Sequence, residues 1–505
     1  EEAPERRKIP AGRPTGAESR PYDIFPKPLS PNLRRMGEKE MEMAELIQEL
    51  AEKKAALLNG NAERVAKQHA AGKCTARERI GKLLDAGSFM ELDALKEAGH
   101  VVAGAGSIEG KAVYCFAQDY AANGGAMTRA QAEKILKLLG MARTAGAPVI
   151  ALLDSDGVSL KDGAAALPLY AEILSAMARL SGVCPMIACV MGPCRGLATL
   201  MTQACDFTVQ VKKTGKIALH TALVMNGEKG REKSEEQLFG AEEMARQGVC
   251  ALTAENEEEA LSMICALVGL LPACNMEDAE LVESDQLNRE LVCQDASDAA
   301  ALMADMADDH RLISLYGEYG AAVKTALCRI GGRSVGLICT DAKQDEGRLT
   351  AADCRKAARF VRLCDCYHLP IVSLADTAGL SVPAPAEQGA LLRAAADMCY
   401  AYAEATAPKI AVATGNVIGA AYVAMGGRRV ADALYAWPGA IISPLTKEAA
   451  VQTLSAQQLA AGESREALEE AYAKAECPVV SNNSAHRTTP DVPMIIPELN
   501  WQHEQ

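Results

Sequence analysis

Several signatures that would fix a function on sight are missing from these 505 residues. The 17 cysteines include no Cys-x-x-Cys pair. The nearest approach, Cys364-Asp-Cys366, has the wrong spacing for a zinc knuckle and lies in a helical pattern. The seven histidines, at 69, 100, 220, 310, 368, 486 and 503, show no metal-ligand spacing, so no metal is expected. No Gly-Lys-Ser/Thr phosphate loop occurs. Gly104-Ala-Gly106-Ser-Ile-Glu-Gly110 fails as a dinucleotide fingerprint, because its third glycine comes one residue late and a strand follows. The opening residues carry no charged-then-apolar signal sequence. The longest uncharged run, the 18 residues from Ile410 to Gly427, holds Gly415, Asn416, Gly419, Gly426 and Gly427, so it reads as strand, turn and helix start rather than a membrane span. With 52 Lys+Arg against 66 Asp+Glu, the net charge of −14 argues against general affinity for nucleic acid or anionic membranes. An anionic ligand needs a local basic pocket.

What is present suits a globular protein, 49% apolar and 23% charged, long enough for several domains of about 100–200 residues each. Cysteines scattered through strand-like and helix-like runs read as buried free thiols in a reducing, cytoplasmic compartment. Seven prolines in the first 31 positions make residues 1–38 an extended arm. Helical spacing follows over 38–58. Thr75-Ala-Arg-Glu78 is a capping box that opens a second helix.

The most informative feature is an internal duplication. Ile108-Glu-Gly-Lys-Ala-Val113 matches Ile330-Gly-Gly-Arg-Ser-Val335 at an offset of 222. Asp119, Asp154 and Gly157 fall on Asp341, Asp376 and Gly379 at the same offset, and Gly196 meets Gly419 at 223. Two copies of one fold are therefore present. In each, apolar runs ending in Asp (Val149–Leu153, Ile371–Ala375) read as buried strands of an α/β layer, alternating with helices over Thr128–Ala142 and Ala351–Cys364. The acidic stretch from Leu271 to about Asp309 reads as the connection, with an amphipathic helix at its end. The organisation expected is an arm (1–38), a first domain (39–280), a linker (281–310), a second domain (311–475) and a polar tail (476–505).

Two glycine turns come at matching positions, Gly192-Pro-Cys-Arg-Gly196-Leu197-Ala198 and Gly415-Asn-Val-Ile-Gly419-Ala420-Ala421. Each follows a buried strand and opens a helix, where backbone N–H groups lack an intrahelical partner and can hold a developing oxyanion. A second pair of turns, Asp154-Ser-Asp-Gly157 and Asp376-Thr-Ala-Gly379, offers side chains that fix a loop or touch a ligand. Lys67, Lys73, Arg77, Arg79 and Lys82 cluster near His69 and read as a solvated helix face, or else as a site for a phosphate-bearing ligand.

With these residues in hand, the chain resembles the carboxyltransferase subunits of biotin-dependent acyl-CoA carboxylases and decarboxylases. The resemblance rests on Lys67-Gln-His-Ala-Ala-Gly-Lys-Cys-Thr-Ala-Arg-Glu-Arg-Ile80 and Leu83-Leu-Asp-Ala-Gly-Ser-Phe-Met-Glu-Leu-Asp93. Phe116-Ala-Gln-Asp119 with Gly124-Gly125, Lys356-Ala-Ala-Arg-Phe-Val-Arg362, Tyr400-Ala-Tyr-Ala-Glu-Ala-Thr406 and Tyr435-Ala-Trp-Pro438 extend it. It implies an α/β fold of two tandem crotonase-like domains, each a layered ββα spiral. It also implies acyl-CoA on the first half, biotin of a carrier protein on the second, and oligomers up to a hexamer of related subunits. The other partners implied are biotin carboxylase or membrane decarboxylase subunits, the latter giving membrane association without an anchor. Carried over, the backbone oxyanion holes are Gly196 with Leu197 and Gly419 with Ala420. Gly124, Gly125, Asp154, Gly157, Arg195, Gly379, Tyr422 and Val423 line the binding sites, Val423 where family members tune acyl size. The chain departs from the family pattern at Arg195 and Leu197, where small residues are usual, and at Val158-Ser159, where an arginine is lost. Leu219–Leu223 and Ser443-Pro-Leu-Thr446 also differ. The alternative reading is a catalytically impaired paralogue serving as a structural or regulatory subunit.

Overall fold

The computed structural model describes residues 43–59, 62–94, 101–159, 163–227, 233–284, 289–293, 295, 297–465 and 467–468. The arm over 1–38 and the tail over 476–505 lie outside them. The chain divides into two units, 1–55 and 56–505. The described part of the first is the start of a helix, Met43–Asn59, that carries exposed Met43, Leu46, Ile47 and Leu50 and an i,i+4 pair, Glu49 with Lys53.

The second unit holds both repeats. Its first sheet contains β1 (Met90–Glu91), β2 (Val101–Ile108), β3 (Lys111–Gln118), β4 (Val149–Ser155), β5 (Met186–Arg195), β6 (Phe207–Val211), β7 (Lys216–Ala218) and β8 (Leu252–Ala254). They lie in the order β1-β2-β3-β4-β5-β6-β8, with β7 pairing the end of β5. The second sheet contains β9 (Leu312–Leu315), β10 (Val323–Ile330), β11 (Arg333–Thr340), β12 (Ile371–Thr377), β13 (Lys409–Ile418), β14 (Ala433–Ala436) and β15 (Ile441–Ser443). Their order is β9-β10-β11-β12-β13-β14, with β15 on the end of β13. In both sheets an antiparallel hairpin is followed by parallel strands. Crossover helices Arg129–Ala145, Ala166–Leu180, Ala351–Cys366 and Gln388–Glu404 make those parallel connections possible.

The duplication reaches into individual hydrogen bonds. Both hairpins turn on two residues of positive φ, Glu109-Gly110 and Gly331-Gly332, as a type I′ turn requires. A preceding aspartate caps each turn. Asp85 accepts from the N–H groups of Glu109 and Gly110, both at 3.0 Å, and Asp308 from those of Gly331 and Gly332 at 2.9 and 2.7 Å. Before each aspartate stands a short N-capped helix. Ala76–Leu83 is closed by the Thr75/Glu78 capping box, and Ala299–Met306 is capped by Asp298. The stretch expected as a linker, 281–310, therefore contains the first helix of the second repeat.

Every residue of β4 is buried, as a parallel strand covered on both faces should be. One core runs without a break from Ile150, Leu152 and Ile187 to Leu327, Ile338 and Phe360, so the two repeats share it. Polar contacts cross the same boundary, Tyr316 N–H to Ala251 O at 2.8 Å and Tyr367 O–H to Asp206 at 2.7 Å. The described cysteines are all free thiols, and burial pushes Cys115, Cys189 and Cys194 up to about 12.

Candidate active site

The site is built on a ladder irregularity present in both sheets. Between β4 and β5 the register jumps from Leu153 opposite Val190 to Ser155 opposite Cys194. Between β12 and β13 it jumps from Ala375 opposite Ala413 to Thr377 opposite Val417. The surplus residues on the longer strand arch over one aspartate, Asp154 or Asp376. A Cβ on Gly192 would stand 2.0 Å from Asp154 Oδ1, and one on Gly415 would stand 2.3 Å from Asp376 Cγ. Only glycine permits that approach. The straps after the hairpins close on the same aspartates, Gly125 against Asp154 O and Gly347 against Asp376 O.

The next turn is also doubled. Ser155 Oγ accepts from Gly157 N–H and Thr377 Oγ1 from Gly379 N–H, each at 3.0 Å, so these side chains fix their loops. Gly157 and Gly379 sit at φ of +100 and +107, facing Arg195 O and Ile418 O. Beyond them, Gly196 (φ +58) and Gly419 (φ +59) lead into helices Ala198–Gln203 and Ala420–Ala424. Gly196 N–H donates to Ala218 O at 2.9 Å and Gly419 N–H to Ser443 O at 2.8 Å. The first N–H of each expected pair is thus committed, to β7 in one repeat and β15 in the other. The following N–H groups, of Leu197 and Ala198 and of Ala420 and Ala421, have no acceptor among the described residues. Each repeat presents two donors at a helix start.

Charge distinguishes the copies. Asp154 is fully buried and accepts from Lys73 Nζ at 2.7 Å and Arg79 at 2.8 Å, and Arg79 also grips Glu257. Burial holds the Lys73 ammonium below its ordinary range against the pull of Asp154. The basic cluster is therefore not a solvated face at Arg79 (0% exposed) or Lys73 (8%). The helical spacing of Ala76, Arg79, Ile80 and Leu83, all buried, is the signal that could have revealed it. Arg77 pairs instead with Glu91, and Lys82 lies 3.2 Å from Cys74 Sγ.

Beside the first turn lies a cleft of about 550 Å³, lined by Arg64, Lys67, Lys73, Tyr120, Gly124 and Asp156, so that among the described residues its lining comes from the first repeat. Lys73 Nζ stands 4.2 Å over the Tyr120 ring. Burial, with Asp156 adding to it, pushes the Tyr120 phenol up to about 12. Arg195 is half-buried, its guanidinium 3.3 Å from Glu235 and 3.7 Å from Asp156. Its buried Nε has no hydrogen-bond partner. The Leu197 side chain packs on the core of the first repeat. In the second repeat the Tyr422 hydroxyl oxygen accepts from Arg428 N–H at 3.0 Å, and the neighbouring Val423 is 56% exposed. Gly332-Arg-Ser-Val-Gly336 spells the Gly-x-Ser-x-Gly pattern of a nucleophile elbow, but Ser334 pairs with Arg329 inside the β10–β11 hairpin and begins no helix. No helix among the described residues is long and apolar enough to cross a membrane, and no group of three or more His, Cys, Asp or Glu among them is placed to hold a metal ion.

Two layered repeats, each ending a bulged strand in a backbone donor turn, define a tandem crotonase-like protein of α/β class. Comparison with known proteins agrees. The carboxyl transferase domain matches residues 67–489, and the chain belongs to that family. It is 37% identical over 426 residues to the methylmalonyl-CoA decarboxylase subunit alpha of Veillonella parvula, covering 79% of this chain and 83% of that one. It is 34% identical over 430 residues to the mitochondrial propionyl-CoA carboxylase beta chain of Homo sapiens, covering 80% of each. Among solved structures, the transcarboxylase 12S hexamer core with methylmalonyl-CoA and methylmalonic acid bound superposes with a TM-score of 0.81 at 31% identity, over 87% of this chain and 90% of that one.

Proposed function

We propose that this chain is an active carboxyltransferase that moves a carboxyl group between biotin on a carrier protein and a short-chain acyl-CoA. The observation that carries the reading is the doubled donor turn, with two acceptor-free N–H groups in each repeat. In acyl-CoA chemistry at the α-carbon, negative charge develops on the thioester oxygen. Leu197 and Ala198 N–H stabilise it there, each well-placed donor contributing about 2.7–4 kcal/mol. Ala420 and Ala421 N–H do the same for the ureido oxygen on the biotin side. When bound, carboxybiotin supplies the carbon dioxide, and its ureido nitrogen takes the α-proton, so no side-chain base is required. Gly124, Gly125, Asp154, Gly157 and Gly379 shape the two turns, and Tyr422 with Val423 borders the acyl group.

The basic lining of the first-repeat cleft, with Arg64, Lys67 and Lys73, suits the phosphate-bearing arm of coenzyme A. Because the described lining of that cleft comes from the first repeat, the second repeat of another copy completes the site, in a homo- or hetero-oligomer such as a hexamer. A biotin carboxyl carrier protein is then the obligate partner, with biotin carboxylase or membrane decarboxylase subunits supplying the rest of the cycle. The chain works in the cytoplasm and meets a membrane only through such partners.

One observation favours the impaired-paralogue reading. Arg195, held between Asp156 and Glu235, spans from the 155–157 loop to the helix Glu235–Phe239 beside the first donors. Calorimetric titration of short acyl-CoAs into the protein and into Arg195→Ala decides between the two. Saturable binding to the unmodified protein, followed by transfer with carboxybiotin, supports the carboxyltransferase. Binding recovered only in the alanine variant supports the scaffold.

A further inference from the structure

The two repeats set the same turn on the same carboxylate and then satisfy that carboxylate in opposite ways. In the first, Asp154 is closed by two cations, Lys73 and Arg79. The strand residue arching past it is Pro193, which has no N–H to offer. In the second repeat the matching strand residue, 223 positions on, is Asn416, and its backbone N–H donates to Asp376 Oδ1 at 2.8 Å. The position matching Arg79 is the buried apolar Leu302. No cation pairs with Asp376 among the described residues. The charged neighbour that acts on it is another acid, Asp295, and burial raises its carboxyl above the usual range. Asp376 is nevertheless firmly placed. Its own N–H donates to Thr340 Oγ1 at 2.6 Å, and its carbonyl accepts from the same hydroxyl at 2.9 Å.

We propose that Asp376 is a positioning residue for the second donor turn, acting through the Asn416 N–H. Asn416 lies three residues before Gly419 on the arched end of β13. Thr340 holds the Asp376 backbone in place, and the carboxylate it carries fixes where the arch begins through the Asn416 N–H, and so where Ala420 and Ala421 N–H point. The first turn has no such bond, because Pro193 has no N–H and Asp154 is already taken by Lys73 and Arg79. This role rests on the carboxyltransferase reading and assigns Asp376 to the biotin-side donors Ala420 and Ala421.

The test measures carboxyl exchange between a carboxylated short acyl-CoA and free biotin for the full-length protein, Asp376→Ala and Asp376→Asn. Acyl-CoA affinity is measured by calorimetry in parallel. Asp376→Ala is expected to lower kcat for exchange by about ten- to a hundred-fold, the scale of a displacement of roughly 1 Å. Acyl-CoA affinity should stay within about two-fold, because the basic first-repeat cleft of Arg64, Lys67 and Lys73 carries most of it. Asp376→Asn keeps an acceptor oxygen and should recover most of the rate. Asn416→Pro, which removes the donor and leaves the carboxylate, should reproduce the selective loss if the alanine variant folds poorly. Unchanged exchange in Asp376→Ala, equal loss of exchange and acyl-CoA affinity, or no rescue by asparagine would overturn the role. Absence of exchange in the unmodified protein overturns the functional reading itself, and this role with it.

Discussion

Replacing Asp154 by asparagine tests the electrostatics beneath the first turn. Lys73, Arg79, Asp154 and Glu257 form a buried group of two cations and two acids, with contacts of 2.7 and 2.8 Å to Asp154. At an effective dielectric constant of 20, a pair 4 Å apart attracts by about 4 kcal/mol, and Asp154 faces two such partners. Desolvation and the repulsion between the cations cancel much of that gain. Leaving one charge of a buried pair uncompensated costs about 3–5 kcal/mol, and Asp154→Asn should fall in that range. Urea unfolding followed by circular dichroism measures it, with Glu49→Gln at an exposed pair as a control expected to change nothing measurable. The loss should also depend on pH. Lys73 is already held below its ordinary value by burial, and removing Asp154 lowers it further. A base whose folded-state pKa lies below its unfolded one gains stability as pH rises between the two, so the deficit should shrink toward pH 10. A cost under about 1 kcal/mol, or one that does not change with pH, would refute the claim that this group is dry and mutually dependent.

Two further substitutions separate steric from conformational demands on the turn. Gly192→Ala drives a Cβ to 2.0 Å from Asp154 Oδ1 and 2.6 Å from Lys73 Nζ. It should cost about 3 kcal/mol or more in thermal unfolding. Gly196→Ala meets open space but is forced to φ +58, so about 1–2 kcal/mol is expected. Lys356 gives three hydrogen bonds to the carbonyls of Tyr316, Tyr319 and Gly320, while burial, with Lys324 nearby, brings its ammonium down to about 7. Stability should therefore rise with pH from about 7 toward 10.5, and Lys356→Met should make that slope shallower, leaving the share of Lys73, when unfolding midpoints are compared across the window.

Local chemistry and repetition were legible in the sequence by itself. The Thr75 capping box, the helices after Thr128 and Thr350, the apolar run Val149–Leu153 of β4 and the matched segments Ile108–Val113 and Ile330–Val335 each depend on residues within a few positions of one another. A constant offset then required that whatever one copy does locally, the other does too. Partners distant along the chain were not legible. Helical spacing hints that Arg79 is buried, but its partners Asp154 and Glu257 lie 75 and 178 positions away. Arg195 is held aside by Glu235, 40 positions on. Gly196 and Gly419 spend their N–H groups on the carbonyls of β7 and β15, strands whose pairing no local pattern announced. Hydrophobic period and turn propensity report the conformation of a segment. Which charges neutralise one another, and which N–H groups remain without an acceptor, is settled only when the sheets close and each buried polar group must find a partner or stay open.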